Sequence, residues 1–196
     1  MTRIIGGNAR GRRLDAPRGD KTRPTASRVK QTLFDVLAPR MRGCRFLDLF
    51  AGSGAVGLEA LSRGAAEVVL VESDRHAASI IRDNAVLVRG AGGRAEVRCV
   101  DYRQGLTALA RQGRSFDLVF VDPPYESELY EPALEQLARL GLLAAGATVI
   151  VEHFHKRTLR ETIQGLVRER QVRIGDHMLS FFRPPGFDEA RAGREV

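Results

Sequence analysis

Cysteine is almost missing from this 196-residue chain: Cys44 and Cys99 stand far apart, with no CxxC spacing. That excludes a disulfide scaffold and a cysteine-rich zinc site, and no metal is expected. Each cysteine reads as a small buried apolar side chain. No run reaches the roughly 18–20 apolar residues that span a bilayer, so no membrane partner is expected. The first residues, MTRIIGGNARGRR, lack the apolar centre of a signal peptide, which points to the cytoplasm. Lysine is scarce as well. Of 31 basic residues only Lys21, Lys30 and Lys156 are lysines. Arginine suits bidentate phosphate contacts, although genome composition produces the same bias. Neither an internal repeat nor a low-complexity linker is visible.

What the chain does have is unevenly placed charge. The net is +7. Residues 1–42 hold eleven Lys or Arg against three Asp or Glu, a net of +8, while residues 43–196 hold twenty against twenty-one, a net of −1. A basic segment ahead of a near-neutral body points to a polyanion, nucleic acid first; solubility is the plainer alternative. Arg10, Arg12, Arg13, Lys21, Arg23 and Arg28 are the candidate contacts. The length suits one domain of ordinary size with a small appendage. The division expected is a basic extension over 1–42, a body over 43–183 and a disordered tail over 184–196.

Residues 3–16 read as a glycine-punctuated β-hairpin. A helix follows over 26–37, capped by Thr25 or Ser27 and stopped by Pro39. From Arg45 the chain alternates short apolar strands (45–50, 67–72, 96–100, 116–121, 147–152) with helices (54–63, 74–88, 102–111, 128–140). Such strands are buried on both faces, so the pattern predicts an α/β sheet covered by helices on both sides. The end differs: LVRERQVRIGDHMLSFFRP reads as an antiparallel hairpin turning at Gly175–Asp176.

The stretch FLDLFAGSGAVGLEAL follows the first core strand. Gly52, Gly54 and Gly57 satisfy G-x-G-x-x-G, and Glu72 stands at the distance of a ribose-binding acid. A dinucleotide is nevertheless disfavoured on charge. Asp48, just before the glycine turn, would repel a pyrophosphate. S-adenosylmethionine has no phosphate and carries an ammonium and a sulfonium, which an acid attracts. On that reading Asp48 and the Gly52–Gly54 backbone approach the methionine end. Glu72 takes the ribose hydroxyls, and Asp101 accepts from the adenine amine. Phe50, Ala51, Ser73 and Tyr102 complete the expected cofactor-binding set, Tyr102 with a packing role as the alternative. Asp74 reads only as a helix cap.

Phe116–Val121 ends on Asp122, and Asp122-Pro123-Pro124-Tyr125 follows. The prolines fix the backbone and offer no N–H. A flat exocyclic amine has two donors, one for the Asp122 carboxylate and one for the Pro123 carbonyl. Such bonds orient the nitrogen for in-line methyl transfer and stabilise positive charge developing on it. Tyr125 supplies a stacking face for an unpaired or flipped base.

These residues resemble class I SAM-dependent methyltransferases, and within them the [D/N]PPY amine methylases. RIIGGNARGRRL, TRPTASRVKQTLFDVL, FLDLFAGSGAVGLEALSRGA, VVLVESD, FDLVFVDPPY and GDHMLSFF are together similar to the bacterial 16S rRNA guanine-N2 methyltransferases, over residues 3–183. The resemblance implies a Rossmann-like, seven-stranded, mostly parallel sheet with its last strand antiparallel, and transfer to a guanine of the 966 type. It implies that Arg23, Pro24 and Thr25 contact RNA or close over the site. The implied partner is 16S rRNA in assembled or partly assembled 30S subunits, with ribosomal proteins as further partners and a monomeric enzyme.

Other readings differ in class. A DNA adenine methyltransferase shares the DPPY chemistry but needs a target-recognition domain of a hundred or more residues. A glutamine methylase fits the basic segment less well. A non-catalytic RNA-binding assembly factor would have no use for an intact Asp122–Tyr125. His153 and His155 alternate at a strand end without a third metal ligand and read as solvent or cleft edge. Of Phe181 and Phe182 at least one should be core.

Overall fold

The computed structural model describes residues 2–17, 24–88, 92–124 and 127–185, with backbone alone for 24–26. Lys21, Arg23, Tyr125, the Thr25 side chain and the tail from residue 186 lie outside the described residues.

Two short antiparallel strands come first, β1 (Thr2–Arg3) and β2 (Arg13–Leu14), then helix α1 (Pro24–Met41). Strands and helices then alternate: β3 (Arg45–Leu49), α2 (Ala55–Ser62), β4 (Glu67–Glu72), α3 (Arg75–Leu87), β5 (Arg94–Cys99). The alternation continues through α4 (Tyr102–Arg111), β6 (Phe116–Val121), α5 (Tyr130–Arg139) and β7 (Leu143–Phe154). Last come β8 (Thr162–Ile163), β9 (Leu166–Ile174) and β10 (His177–Arg183). The main sheet is ordered β5-β4-β3-β6-β7-β10-β9-β8. It is the expected α/β sheet, seven strands wide, with β8 as a two-residue eighth at the edge. β10 runs antiparallel between β7 and β9.

The central parallel strands are mainly apolar because helices cover both faces, whereas β5 at the sheet edge carries Arg94, Glu96 and Arg98 and buries no residue fully. Phe46, Val68, Leu70, Phe120 and Ile150 join the cluster of α1, α2 and α3, while Leu47, Val69, Val71, Val121 and Val149 join that of α4 and α5. Successive residues of one strand thus enter opposite clusters. Phe181 and Phe182 do the same, one on each face. The chain builds outward from β3 through β4 to β5, then returns to β6 on the other side of β3. At such a reversal a crevice opens beyond the carboxyl ends of the strands.

Helix α1 differs from its expected bounds. It begins at Pro24, so Thr25 and Ser27 lie inside it rather than capping it. Proline suits the first helical position, where its missing N–H has no partner to lose. Pro39 does not stop the helix, which continues to Met41. Only the end of the helix is affected, because an internal proline removes one i→i−4 bond. Arg40 anchors that last turn, its guanidinium donating to Thr148 Oγ1 and, at 2.6 Å, to the Gly146 carbonyl.

The N-terminal segment shares the core of the body. Ile4, Ala9 and Leu14 are buried in the same cluster as Leu58, Leu61 and Val88. Fully buried Glu59 accepts from the amides of Ile5 at 2.8 Å and Gly6 at 2.7 Å. Asn84 accepts from the Asp15 amide and donates to its carbonyl, each at 2.9 Å. Gly7, at φ 74°, has no room for a side chain, since a Cβ would fall 1.8 Å from the Ser62 carbonyl oxygen. Cys44 is buried as expected, but Cys99 is only half-buried because β5 is a sheet edge.

Candidate active site

The turn after β3 is strained. Phe50 takes a left-handed φ of 70°, a conformation costly for a bulky residue and concentrated at functional sites. Gly52 and Gly54 follow at φ 56° and 75°, and α2 starts directly after them. At Gly57 a Cβ would approach Leu70 Cδ2 to 2.8 Å and Asp48 Oδ2 to 3.1 Å. Only glycine lets α2 pack this closely on β3 and β4.

Asp48, Glu72 and Asp101 each accept from backbone N–H. Asp48 is 2% exposed, and its Oδ2 accepts from the Gly57 amide at 2.8 Å. Burial pushes its carboxyl up to about 7, with the Glu72 charge adding and the Gly57 bond opposing. Glu72 accepts from Gly52 N–H through Oε2 and from Asp74 N–H through Oε1, both at 2.8 Å. A carboxylate offers about four acceptor sites, so two remain for a ligand. Asp101 caps α4, accepting from Arg103 N–H at 2.9 Å, and its side chain is exposed. Asp74 caps α3 as expected, accepting from Ala77 N–H at 2.7 Å.

The Asp122 amide donates to the Leu49 carbonyl at 3.4 Å, which ties the end of β6 to the end of β3. Asp122 and Pro124 are exposed and Pro123 is buried. The Pro124 carbonyl accepts from Ser127 N–H at 2.9 Å.

These pieces meet in a cavity of about 560 Å³, within the usual range for small-molecule sites. Asp48, Phe50, Ala51, Gly52, Glu72, Ser73, Asp122, Pro123 and Pro124 all line it. A slot of about 90 Å³ is lined by Phe50, Ser73, Val100, Asp101, Tyr102, Pro124 and Leu129. Its walls are mainly apolar, with the Asp101 carboxylate among them. Phe50 and Tyr102 lie 5.1 Å apart by ring centroids. Tyr102 is 3% exposed, and its hydroxyl has no hydrogen-bond partner among the described residues.

The sequence matches the family described as "Conserved hypothetical protein 95" over residues 2–183. It is 42% identical to the ribosomal RNA small subunit methyltransferase D of Escherichia coli K12 over 150 residues, 76% of this chain and 73% of that protein. The chain belongs to the ribosomal RNA small subunit methyltransferase D family. A solved hypothetical protein of Thermus thermophilus superposes with a TM-score of 0.78 at 35% identity, covering 92% of this chain and 98% of that one. The SAM-dependent methyltransferase of Agrobacterium tumefaciens, at 21% identity, shares the fold with a TM-score of 0.64 over 88% of this chain and 66% of that one.

The methyltransferase cavity also has walls that local sequence patterns did not reveal. Thr2, Pro17, Ser27, Lys30 and Leu33 of the N-terminal segment line it, as do Tyr130, Glu152, His153, Phe154 and His177. Lys30 is 6% exposed, donates to the Arg3 carbonyl at 2.6 Å and pairs with Glu59. Of the two places expected for His153, the cleft edge agrees with the structure and the solvent edge does not: it lines the cavity and is 3% exposed, with β10 paired beside it. Its Nδ1 bonds the Phe154 carbonyl at 2.9 Å and its Nε2 bonds Ser180 Oγ at 2.8 Å, while burial lowers its pKa and favours the neutral ring. His155 Nδ1 instead bonds the Asp176 carbonyl at 3.1 Å. Among the described residues no group of three or more His, Cys, Asp and Glu is placed to hold a metal ion, and no helix is long and apolar enough to cross a membrane. Arg10, Arg12, Arg13 and Arg28 are exposed on the N-terminal segment.

Proposed function

We propose that the chain methylates the exocyclic N2 of one guanine in 16S rRNA, using S-adenosylmethionine, within assembled or partly assembled small ribosomal subunits. One observation carries the reading: the glycine turn with Glu72 and the Asp122-Pro123-Pro124 turn line the same cavity, with the basic N-terminal segment as part of its wall. The family holds rRNA methyltransferases, which supports the class of substrate.

The residues present fit the cofactor. The acids at the glycine turn suit a cation better than a phosphate. Glu72, with two acceptor sites left, would hold ribose hydroxyls. The slot beside Phe50, Tyr102 and Asp101 would take the adenine. When bound, S-adenosylmethionine supplies an electrophilic methyl group. The chain's own task is to present the nucleophile. Asp122 accepts from one N2–H and the Pro123 carbonyl from the other, which aims the nitrogen lone pair and stabilises its developing positive charge. The amine becomes far more acidic after transfer, so no strong base is needed. Tyr125 would stack on the flipped base. Arg10, Arg12, Arg13 and Arg28, with Lys21, Arg23 and Thr25, would bind the RNA backbone.

The test is transfer of labelled methyl to small subunits that lack the modification, followed by digestion and mass spectrometry of the RNA. N2-methylguanine at one position is expected. Label found only in DNA or only in protein would overturn the proposal.

A further inference from the structure

We propose that Glu152, held in place by His177, reads the N1–H of the target base and so selects guanine; this rests on the function proposed above. Both residues line the cavity on its β7–β10 side.

The register places Glu152 beside the catalytic turn. Val121 of β6 pairs with Val151 of β7, so Asp122 and Glu152 each lie one residue past a paired position on adjacent parallel strands. Adjacent strands run about 4.8 Å apart. Alternation puts both residues on the face of Phe120 and Ile150, which is also the face of α1. An amine held at Asp122 therefore has the next atoms of its base within reach of Glu152.

Glu152 is fixed there. His177 Nδ1 donates to Glu152 Oε1 at 2.8 Å, with the two side chains 29% and 15% exposed. The antiparallel return of β10 builds this contact, for Leu179 pairs with Glu152 and His177 lies two residues away on the same face. Glu152 Oε2 receives no hydrogen bond among the described residues. The acid caps no helix and closes no turn. It is a carboxylate oriented by one partner, with an acceptor directed at the cavity it lines.

The chemistry of the base supplies the selectivity. Guanine presents N1–H next to its N2 amine, two donors in a row. Adenine and cytosine present a bare ring nitrogen next to their amines, and a carboxylate would face that lone pair. An acid one strand over from the amine-binding acid thus accepts guanine and repels the other two. A site built to bond a donor rejects a base lacking it, because its buried acceptor is then left unpaired.

2-Aminopurine separates this role from a structural one. It keeps the N2 amine but has no proton on N1. Semi-synthetic small-subunit RNA carrying either guanine or 2-aminopurine at the target would be assayed with the full chain, reading kcat/KM for each. The unsubstituted protein should favour guanine by about 10- to 100-fold, the size of one hydrogen bond to a charged group. In Glu152→Gln the amide can donate to the bare N1, so the ratio should fall to about one or invert. His177→Leu should lower the same ratio several-fold by releasing Glu152, with S-adenosylmethionine affinity unchanged by calorimetry, and it serves as the test if Glu152→Gln does not fold. A ratio unmoved in the folded variants overturns the inference. Failure of the unsubstituted protein to label guanine-bearing RNA is a separate result, which defeats the proposed function itself.

Discussion

Lys30 and Glu59 form an ion pair 3.2 Å long, with side chains 8% and 0% exposed. The same carboxylate takes the Ile5 and Gly6 amides, and the same ammonium donates to the Arg3 carbonyl and lines the cavity. A single buried pair therefore joins the N-terminal hairpin, α1 and α2, and it sets one wall of the site. The segment that carries the net positive charge is held against the cavity in part through it.

Glu59→Ala should cost about 3–5 kcal/mol, because it leaves Lys30 buried without its counter-charge. Burial already holds the Lys30 ammonium below its ordinary pKa, with Glu59 opposing. Replacing both residues, Lys30→Met with Glu59→Leu, should recover only part of the loss, since the Ile5 and Gly6 amides still lack their acceptor. Urea unfolding of the unsubstituted protein and both variants measures this. A loss under about 1 kcal/mol in Glu59→Ala would show that the pair does not hold the segment.

Asp122→Ala should lose turnover while cofactor binding persists. Removing one preorganised group that stabilises developing charge costs about 10²–10³-fold in kcat. Single-turnover methyl transfer reads the rate and calorimetry reads the binding. An equal loss of both would mean that Asp122 serves the cofactor rather than the amine.

Asp48 predicts a pH effect with a definite sign. Its carboxyl is at about 7 in the fold against an ordinary 3.8. Between those values the folded state keeps a proton that the unfolded chain has lost. The contribution to stability is full below about 4 and is lost as pH rises through about 7. Asp48→Asn should remove that part of the pH dependence from the melting temperature. A cationic ligand favours the ionised acid, and a carboxyl at about 7 is half protonated at pH 7, so S-adenosylmethionine binding there should release up to about half a proton. Calorimetry in buffers of different ionisation enthalpy measures the release, and identical heats in all of them would contradict it.

Replacing Arg10, Arg12, Arg13 and Arg28 by alanine should weaken RNA binding and flatten its salt dependence. The log–log slope should fall by about one unit for each phosphate that is no longer neutralised. S-adenosylmethionine affinity should not change. An unaltered slope would place the RNA-binding surface elsewhere.

The fold is legible where burial imposes pattern. Phe116–Val121 and Glu67–Glu72 read as strands because helices cover both faces and turn residues bound them. The apolar run at 147–152 understates β7, which starts at Leu143 and shifts its register with β6 between Phe116 and Leu118. Pro39 misleads because a proline in a last turn costs little when Arg40 ties that turn to β7. Asp48, Glu72, Asp101 and Asp122 are legible because each lies within two residues of a strand's carboxyl end, a position set by local sequence. Glu152, His177 and Lys30 are not, because the contacts that bring them to the cavity span between 25 and 29 residues. The cleft position of His153 is legible, but its burial is not, since the strand beside it lies downstream.

The position of β10 also sets an order of events during synthesis. Among the described residues β9 pairs with β8 and β10 alone, and β7 finds its second neighbour in β10. Until His177–Arg183 leaves the ribosome, two strand edges stay open and one wall of the cavity is missing. A nascent chain halted before that point would have its glycine turn and its Asp122 turn but no closed site, and its unpaired edges would invite association with other chains.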